Sequence, residues 1–228
     1  MTLSTINRIP IDLAELAGFS GASIQTANLS ACGELDDGRA ERLATLFDFY
    51  GSDKTRHGYH KLYAQILGET RNVKKVLEIG LGSNNEDVVS NMSAAGRPGA
   101  SLRAFRDLCE NAEIFGADVD RRILFEDERI KTFWVDQLDR SSLQNLRNRI
   151  PNDFDLVIDD GLHAPDANVS TLILGMQTIR IGGWVVIEDI NPAAESLWKV
   201  IGALLPPSFS ATVFHAKYAL LFAVRRVR

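Results

Sequence analysis

Two apolar runs of this 228-residue chain end in adjacent acids. Phe154-Asp155-Leu156-Val157-Ile158 leads into Asp159-Asp160-Gly161-Leu162-His163, and Trp184-Val185-Val186-Ile187 leads into Glu188-Asp189. If the two runs are neighbouring parallel strands, Asp160, Glu188 and Asp189 converge at one carboxyl edge. Carboxylates so close repel and raise one another's pKa. A hard divalent cation removes that conflict and takes oxygen ligands. The alternative is that each acid caps the helix that follows, most credibly Asp189 ahead of Asn191-Pro192. His163 stands three residues after Asp160 on the same loop. An imidazole titrates near working pH and suits removal of a hydroxyl proton. A metal ion would lower that hydroxyl's pKa and fix its oxygen.

A second constellation follows an earlier run, Val76-Leu77-Glu78-Ile79-Gly80-Leu81-Gly82-Ser83. Glycines where a strand meets a loop let backbone approach a ligand and take positive φ. A dinucleotide fingerprint would place a third glycine where Asn85 stands. Glu78 suits a ligand with a cationic amine and disfavours a pyrophosphate, so a nicotinamide dehydrogenase fits poorly. The next run ends in Asp118, a carboxylate placed to take ribose hydroxyls, while Asp120 reads equally as a helix cap. A third ends in Val135-Asp136-Gln137, suited to an adenine edge. Three strand ends then line one cleft, where open α/β sheets bind ligands.

These side chains need strands to carry them. From residue 73, short apolar runs alternate with helical patterns. Strands are expected at 75–79, 113–117, 130–135, 154–159 and 184–188. Helices are expected at 101–110, 139–150, 165–179 and 192–205, the third ended by Gly182-Gly183. The tail, 210–215 and 218–224, reads as an antiparallel hairpin. The pattern predicts an α/β, Rossmann-like sheet of seven mostly parallel strands with helices on both faces. Residues 1–72 read as a helical lead-in belonging to the same domain as a 73–228 core. Its first 38 residues are partly irregular. Helices follow at 39–50 and 59–67 around a polar knot, Gly51 to Gly58.

The composition, 45% hydrophobic and 24% charged, is ordinary for a soluble globular chain and excludes a collagenous, coiled-coil or disordered one. A net charge of −5 argues against nucleic acid as partner. Two cysteines make no disulfide framework, so a reducing, cytoplasmic setting is expected. No signal-peptide pattern opens the chain, and no apolar run reaches the ~18 residues of a membrane span. Trp134, Trp184 and Cys109 read as core. Trp198, beside Lys199, reads as facing a partner or acceptor, and Arg225-Arg226-Val227-Arg228 as a charged sheet edge. Homo-oligomer formation stays open.

Glu78-Ile79-Gly80-Leu81-Gly82, Asp118, Asp136-Gln137 and the fourth-strand acids together resemble a class I S-adenosylmethionine-dependent methyltransferase. Tyr50-Gly51-Ser52-Asp53-Lys54, His57-Gly58-Tyr59, Tyr63 and Pro98-Gly99-Ala100-Ser101-Leu102-Arg103 narrow the likeness. With the two acidic segments, they resemble the metal-dependent sugar O-methyltransferases of macrolide and tetracenomycin antibiotic biosynthesis, over roughly residues 46–190. The resemblance implies Mg²⁺ held by Asp160, Glu188 and Asp189, with His163 as general base. It implies S-adenosylmethionine contacts from Glu78, Gly80, Gly82, Ser83, Ser101, Asp118, Asp136, Gln137, Asp159 and Tyr59. The polar knot then reads as a connector or as a lid over the methionine end. The chemistry implied is in-line attack of an acceptor oxygen on the donor methyl, the acceptor being a sugar or glycosylated small molecule. A catechol-type or other small-molecule O-methyltransferase, and a non-catalytic donor-binding module, are the alternatives.

Overall fold

Period-two alternation along the apolar runs sorts their side chains between two cores. Val76, Leu156, Ile158, Val186, Leu221 and Ala223 face one core. Leu77, Ile79, Val157, Val185, Ile187 and Phe222 face the other. Runs buried on both faces are what a mainly parallel sheet requires. The computed structural model describes residues 24–32 and 38–228. Residues 1–23 and 33–37 of the expected lead-in, with the reading of the chain's start, lie outside the described residues.

The strands are β1 (Gln25–Asn28), β2 (Lys75–Ile79), β3 (Glu113–Asp118), β4 (Glu126–Asp127), β5 (Ile130–Trp134), β6 (Phe154–Asp159), β7 (Ile179–Ile190), β8 (Phe209–His215) and β9 (Leu220–Arg226). The helices are α1 (Arg39–Tyr50), α2 (Lys54–His57), α3 (Tyr59–Leu67), α4 (Ala100–Leu108), α5 (Arg140–Arg149), α6 (Pro165–Thr178) and α7 (Glu195–Ala203). One sheet runs β1-β8-β9-β7-β6-β2-β3-β5-β4. The pairs β2–β3, β2–β6, β3–β5 and β6–β7 are parallel, and β7–β9 and β8–β9 antiparallel. All seven expected strands are present, with the antiparallel tail. Two short edge strands, β1 and β4, raise the number among the described residues to nine.

Five details differ from the sequence expectation. Gly182 and Gly183 lie inside β7, where the pairing with β6 shifts register, and α6 stops at Thr178. The 192–205 helix divides into a 3₁₀ turn, Pro192–Ala194, and α7. Trp198 does not face a partner or acceptor: it is buried against Phe222 with ring centroids 4.9 Å apart. Trp134 and Trp184 are only half-buried. The basic tail is no sheet edge, because β9 lies between β7 and β8 and Arg226 Nη1 donates to the Ile179 carbonyl. Cys109 is fully buried, as expected.

Candidate active site

The ends of β2, β3, β5 and β6 enclose a cleft of about 380 Å³. Gly80, Gly82, Ser83, Asp118, Asp136 and Gln137 line it, with Asp160 at its border. Gly80 takes φ +97°, and a Cβ there would lie 2.0 Å from the Asp160 carbonyl oxygen. The Asp160 N–H donates to the Ile79 carbonyl at 2.8 Å. The turn after β2 is therefore pressed against the turn after β6, and only glycine fits between them. Asp118 accepts from the Leu81 and Asp120 N–H groups at 2.7 and 2.8 Å, and burial raises its pKa. Asp120 is a cap: its carboxylate accepts from the Arg122 N–H, Ser83 Oγ and Asn85 Nδ2. The guanidinium of Arg122 is the main influence holding it below the usual carboxylate range. Asp136 accepts from the Leu138 N–H at 2.9 Å.

The turn after β6 is held from both sides. Gln137 Nε2 donates to Asp159 Oδ1 and Thr171 Oγ1, each at 2.8 Å, and Oε1 accepts from the Leu162 N–H at 2.9 Å. Asn168 Nδ2 donates to the other Asp159 oxygen at 3.1 Å. Asp159 is fully buried and anchors the loop rather than lining the cleft. Beyond it, Asp160, His163 and Asp189 offer ligand atoms all within 4.8 Å of one another. His163 is exposed, and its Nε2 lies 4.0 Å from Asp189 Oδ2. His163 and Asp189 both take positive φ, +56° and +52°, an uncommon conformation for such residues that marks sites held by their surroundings. Asp189 caps nothing: Asn191 accepts from the Ala193 N–H and starts the following turn.

Glu78, Asp160 and Glu188 share the sheet face of Val76, Ile158 and Val186, because each lies two residues further along its strand. That face is covered by α1 to α4, and three side chains from α2 and α3 enter it. Lys54 is 2% exposed. Its Nζ donates to Asp160 Oδ2 at 2.6 Å and to Glu188 Oε2, and pairs with Glu78 Oε1 at 3.2 Å. Burial alone would strip its proton, but the Asp160, Glu188 and Glu78 charges outweigh burial and hold the ammonium well above the usual lysine range. Tyr63 OH donates to Glu188 Oε1, and Tyr59 OH to Asp189 Oδ1 at 2.5 Å. Burial, reinforced by the neighbouring acids, raises both phenols, so they remain donors. Ser101, at the start of α4, donates to Glu78 Oε2. Burial pushes Asp160 up to about 7, with Lys54 opposing the shift and Asp189 adding to it. Burial likewise raises Glu188.

The structure thus brings Asp160, Asp189 and His163 together and sets Glu188 one step inward, between Lys54 and Tyr63. Glu78, Ser101 and Tyr59 belong to this buried cluster rather than to the cleft wall. Lys54 is the central residue that sequence reasoning left in a polar connector. A lysine between serine, aspartate and threonine looks like any solvated loop charge. The tyrosines Tyr59 and Tyr63, spaced i and i+4 on one helix face, were the available signal. The donor set fits a magnesium ion. Carboxylate oxygens suit Mg²⁺ and imidazole prefers softer metals, and the hydrogen bonds from Lys54 and Tyr59 occupy one oxygen each of Asp160 and Asp189, leaving the other to a cation.

No protein-family model matches the chain. It is 32% identical over 158 residues to an 8-demethyl-8-alpha-L-rhamnosyl tetracenomycin-C 2'-O-methyltransferase of Streptomyces olivaceus, covering 68% of this chain and 39% of that protein. It is 31% identical over 185 residues to the mycinamicin VI 2''-O-methyltransferase of Micromonospora griseorubida, covering 79% of this chain and 42% of the relative. The chain therefore spans about two fifths of the length of these curated relatives. Among solved structures, the MycE methyltransferase of the mycinamycin pathway, in complex with Mg, SAH and mycinamycin VI, superposes with TM-score 0.65 at 24% identity. That match covers 82% of this chain and 54% of MycE. An SAH-bound Podospora anserina methyltransferase, PaMTH1, superposes with TM-score 0.51 at 15% identity, over 86% and 92% of the two chains. The chain has the Rossmann-like fold of class I methyltransferases, and its curated relatives are sugar O-methyltransferases of tetracenomycin and macrolide pathways.

Proposed function

We propose that this chain is an S-adenosylmethionine-dependent, Mg²⁺-assisted O-methyltransferase acting on a hydroxyl of a sugar or glycosylated small molecule in the cytoplasm. The observation that carries the reading is that Asp160 both borders the cleft of the glycine-rich turn and belongs to the Asp160–His163–Asp189 cluster. A donor in that cleft ends beside His163, whose imidazole suits removal of a hydroxyl proton. Relatives named as sugar O-methyltransferases, and a neighbour solved with Mg, SAH and a mycinamycin, support the same reading. Residues 73–228 form the donor-binding core, and the segment before them supplies the lid.

Asp160 and Asp189 would hold the metal, with Glu188, expected as a third ligand, set behind them between Lys54 and Tyr63; when bound, the metal would acidify and fix the acceptor hydroxyl. His163 receives the hydroxyl proton on its ring. Asp189, 4.0 Å from Nε2, steadies the imidazolium so formed. The acceptor oxygen forms a bond to the donor methyl carbon, and the pair of the breaking carbon–sulfur bond stays on sulfur. Tyr59 orients Asp189, and Gln137 and Asn168 keep the His163 loop fixed through Asp159. Much of the acceleration then comes from holding oxygen and methyl in line. Calorimetry with S-adenosylhomocysteine tests the donor assignment: one site per chain is expected, and tight NADH binding with no S-adenosylhomocysteine binding would overturn it.

A further inference from the structure

The four acids Glu78, Asp160, Glu188 and Asp189 enclose two cation positions, not one. The inner position lies between Glu78, Asp160 and Glu188, and Lys54 Nζ fills it. The outer position lies between Asp160, Asp189 and His163. Asp160 belongs to both, as a bridging carboxylate does in sites that hold two metals. Its Oδ2 is taken by Lys54, and Tyr59 takes Asp189 Oδ1, so one oxygen of each acid is left for the outer position. Glu78 Oε1 is fully buried and has no hydrogen-bond partner, which leaves the ammonium at 3.2 Å as its counter-charge. The lysine rides on α2, a single turn flanked by Gly51 and Gly58 at φ +83° and +81°.

We infer that Lys54 is a positioning residue that stands in for a second metal ion. It makes a four-carboxylate cluster into a site for one exchangeable divalent cation. This inference rests on the metal-assisted reading above. Four carboxylates and one ammonium leave three formal negative charges. One divalent ion removes two of them, and a donor sulfonium at the adjoining cleft meets the last. A fixed ammonium fills the inner position at any metal concentration and keeps Glu188 between Lys54 and Tyr63.

The test is the number of Mn²⁺ ions bound per chain, read by the loss of free Mn²⁺ signal in electron paramagnetic resonance, for wild type, Lys54→Met and Lys54→Arg. One ion is expected for wild type and Lys54→Arg, and two for Lys54→Met. Thermal melts run beside it: without Mn²⁺ the Lys54→Met chain melts below wild type, and Mn²⁺ raises its melting temperature more than it raises that of wild type. Lys54→Met binding one ion at unchanged affinity overturns the inference while leaving the metal site intact. Wild type binding no Mn²⁺ instead removes the metal-assisted reading itself. If Lys54→Met does not fold alone, folding restored by Mn²⁺ supports the substitution of ion for ammonium. Failure at every Mn²⁺ concentration, with Lys54→Arg folded, contradicts it.

Discussion

Gly80 shows how one residue type decides the site. Its positive φ, and the Asp160 carbonyl where a Cβ would stand, let the turn after β2 and the turn after β6 touch. Gly80→Ala adds both a clash and about 1–3 kcal/mol of left-handed strain. The variant is expected to lose roughly that stability in urea melts and to bind S-adenosylhomocysteine weakly; an unchanged midpoint and affinity would contradict the packing described. At this scale the acidic strand ends were legible, because consecutive carboxylates after a buried run have few structural uses. Lys54 was not, because burial of a cation depends on acids more than a hundred residues further on. The choice between cap and ligand for Asp189 also needed coordinates, since only they show Asn191 doing the capping.

Elements set the register of these side chains. Parallel pairing of β6 with β7, Asp159 opposite Ile187, brings the two acidic ends level. The His163 loop then hangs from Gln137 at the end of β5 and Asn168 in α6. Gln137→Met removes the amide that donates to Asp159 and Thr171 and accepts from Leu162. A stability loss of about 1–3 kcal/mol is expected in denaturant melts, from polar groups left unpaired in the interior. A melt identical to wild type would show that the loop is held otherwise. The central strands were readable because a strand buried on both faces is a plain apolar run. The edge strands were not: Gln25–Asn28 and Glu126–Asp127 carry no such run and exist by pairing with β8 and β5. Trp198 was misread for a related reason, since a neighbouring lysine says nothing about which helix face meets the sheet.

Across the whole molecule, one sheet edge joins two features. The glycine-rich cleft opens on it at one side, and the acid cluster is buried under α1 to α4 at the other, with Asp160 common to both. Among the described residues, no helix is long and apolar enough to cross a membrane. The central claim is that this edge moves a methyl group onto a sugar hydroxyl. Its most direct measurement is transfer of labelled methyl from S-adenosylmethionine to a panel of rhamnosylated and other glycosylated acceptors, by wild type and His163→Ala, with Mg²⁺ and with EDTA. Label is predicted on a sugar oxygen, abolished by EDTA and reduced about 10²–10⁴-fold in His163→Ala. Transfer that is indifferent to EDTA and to His163→Ala would contradict the account.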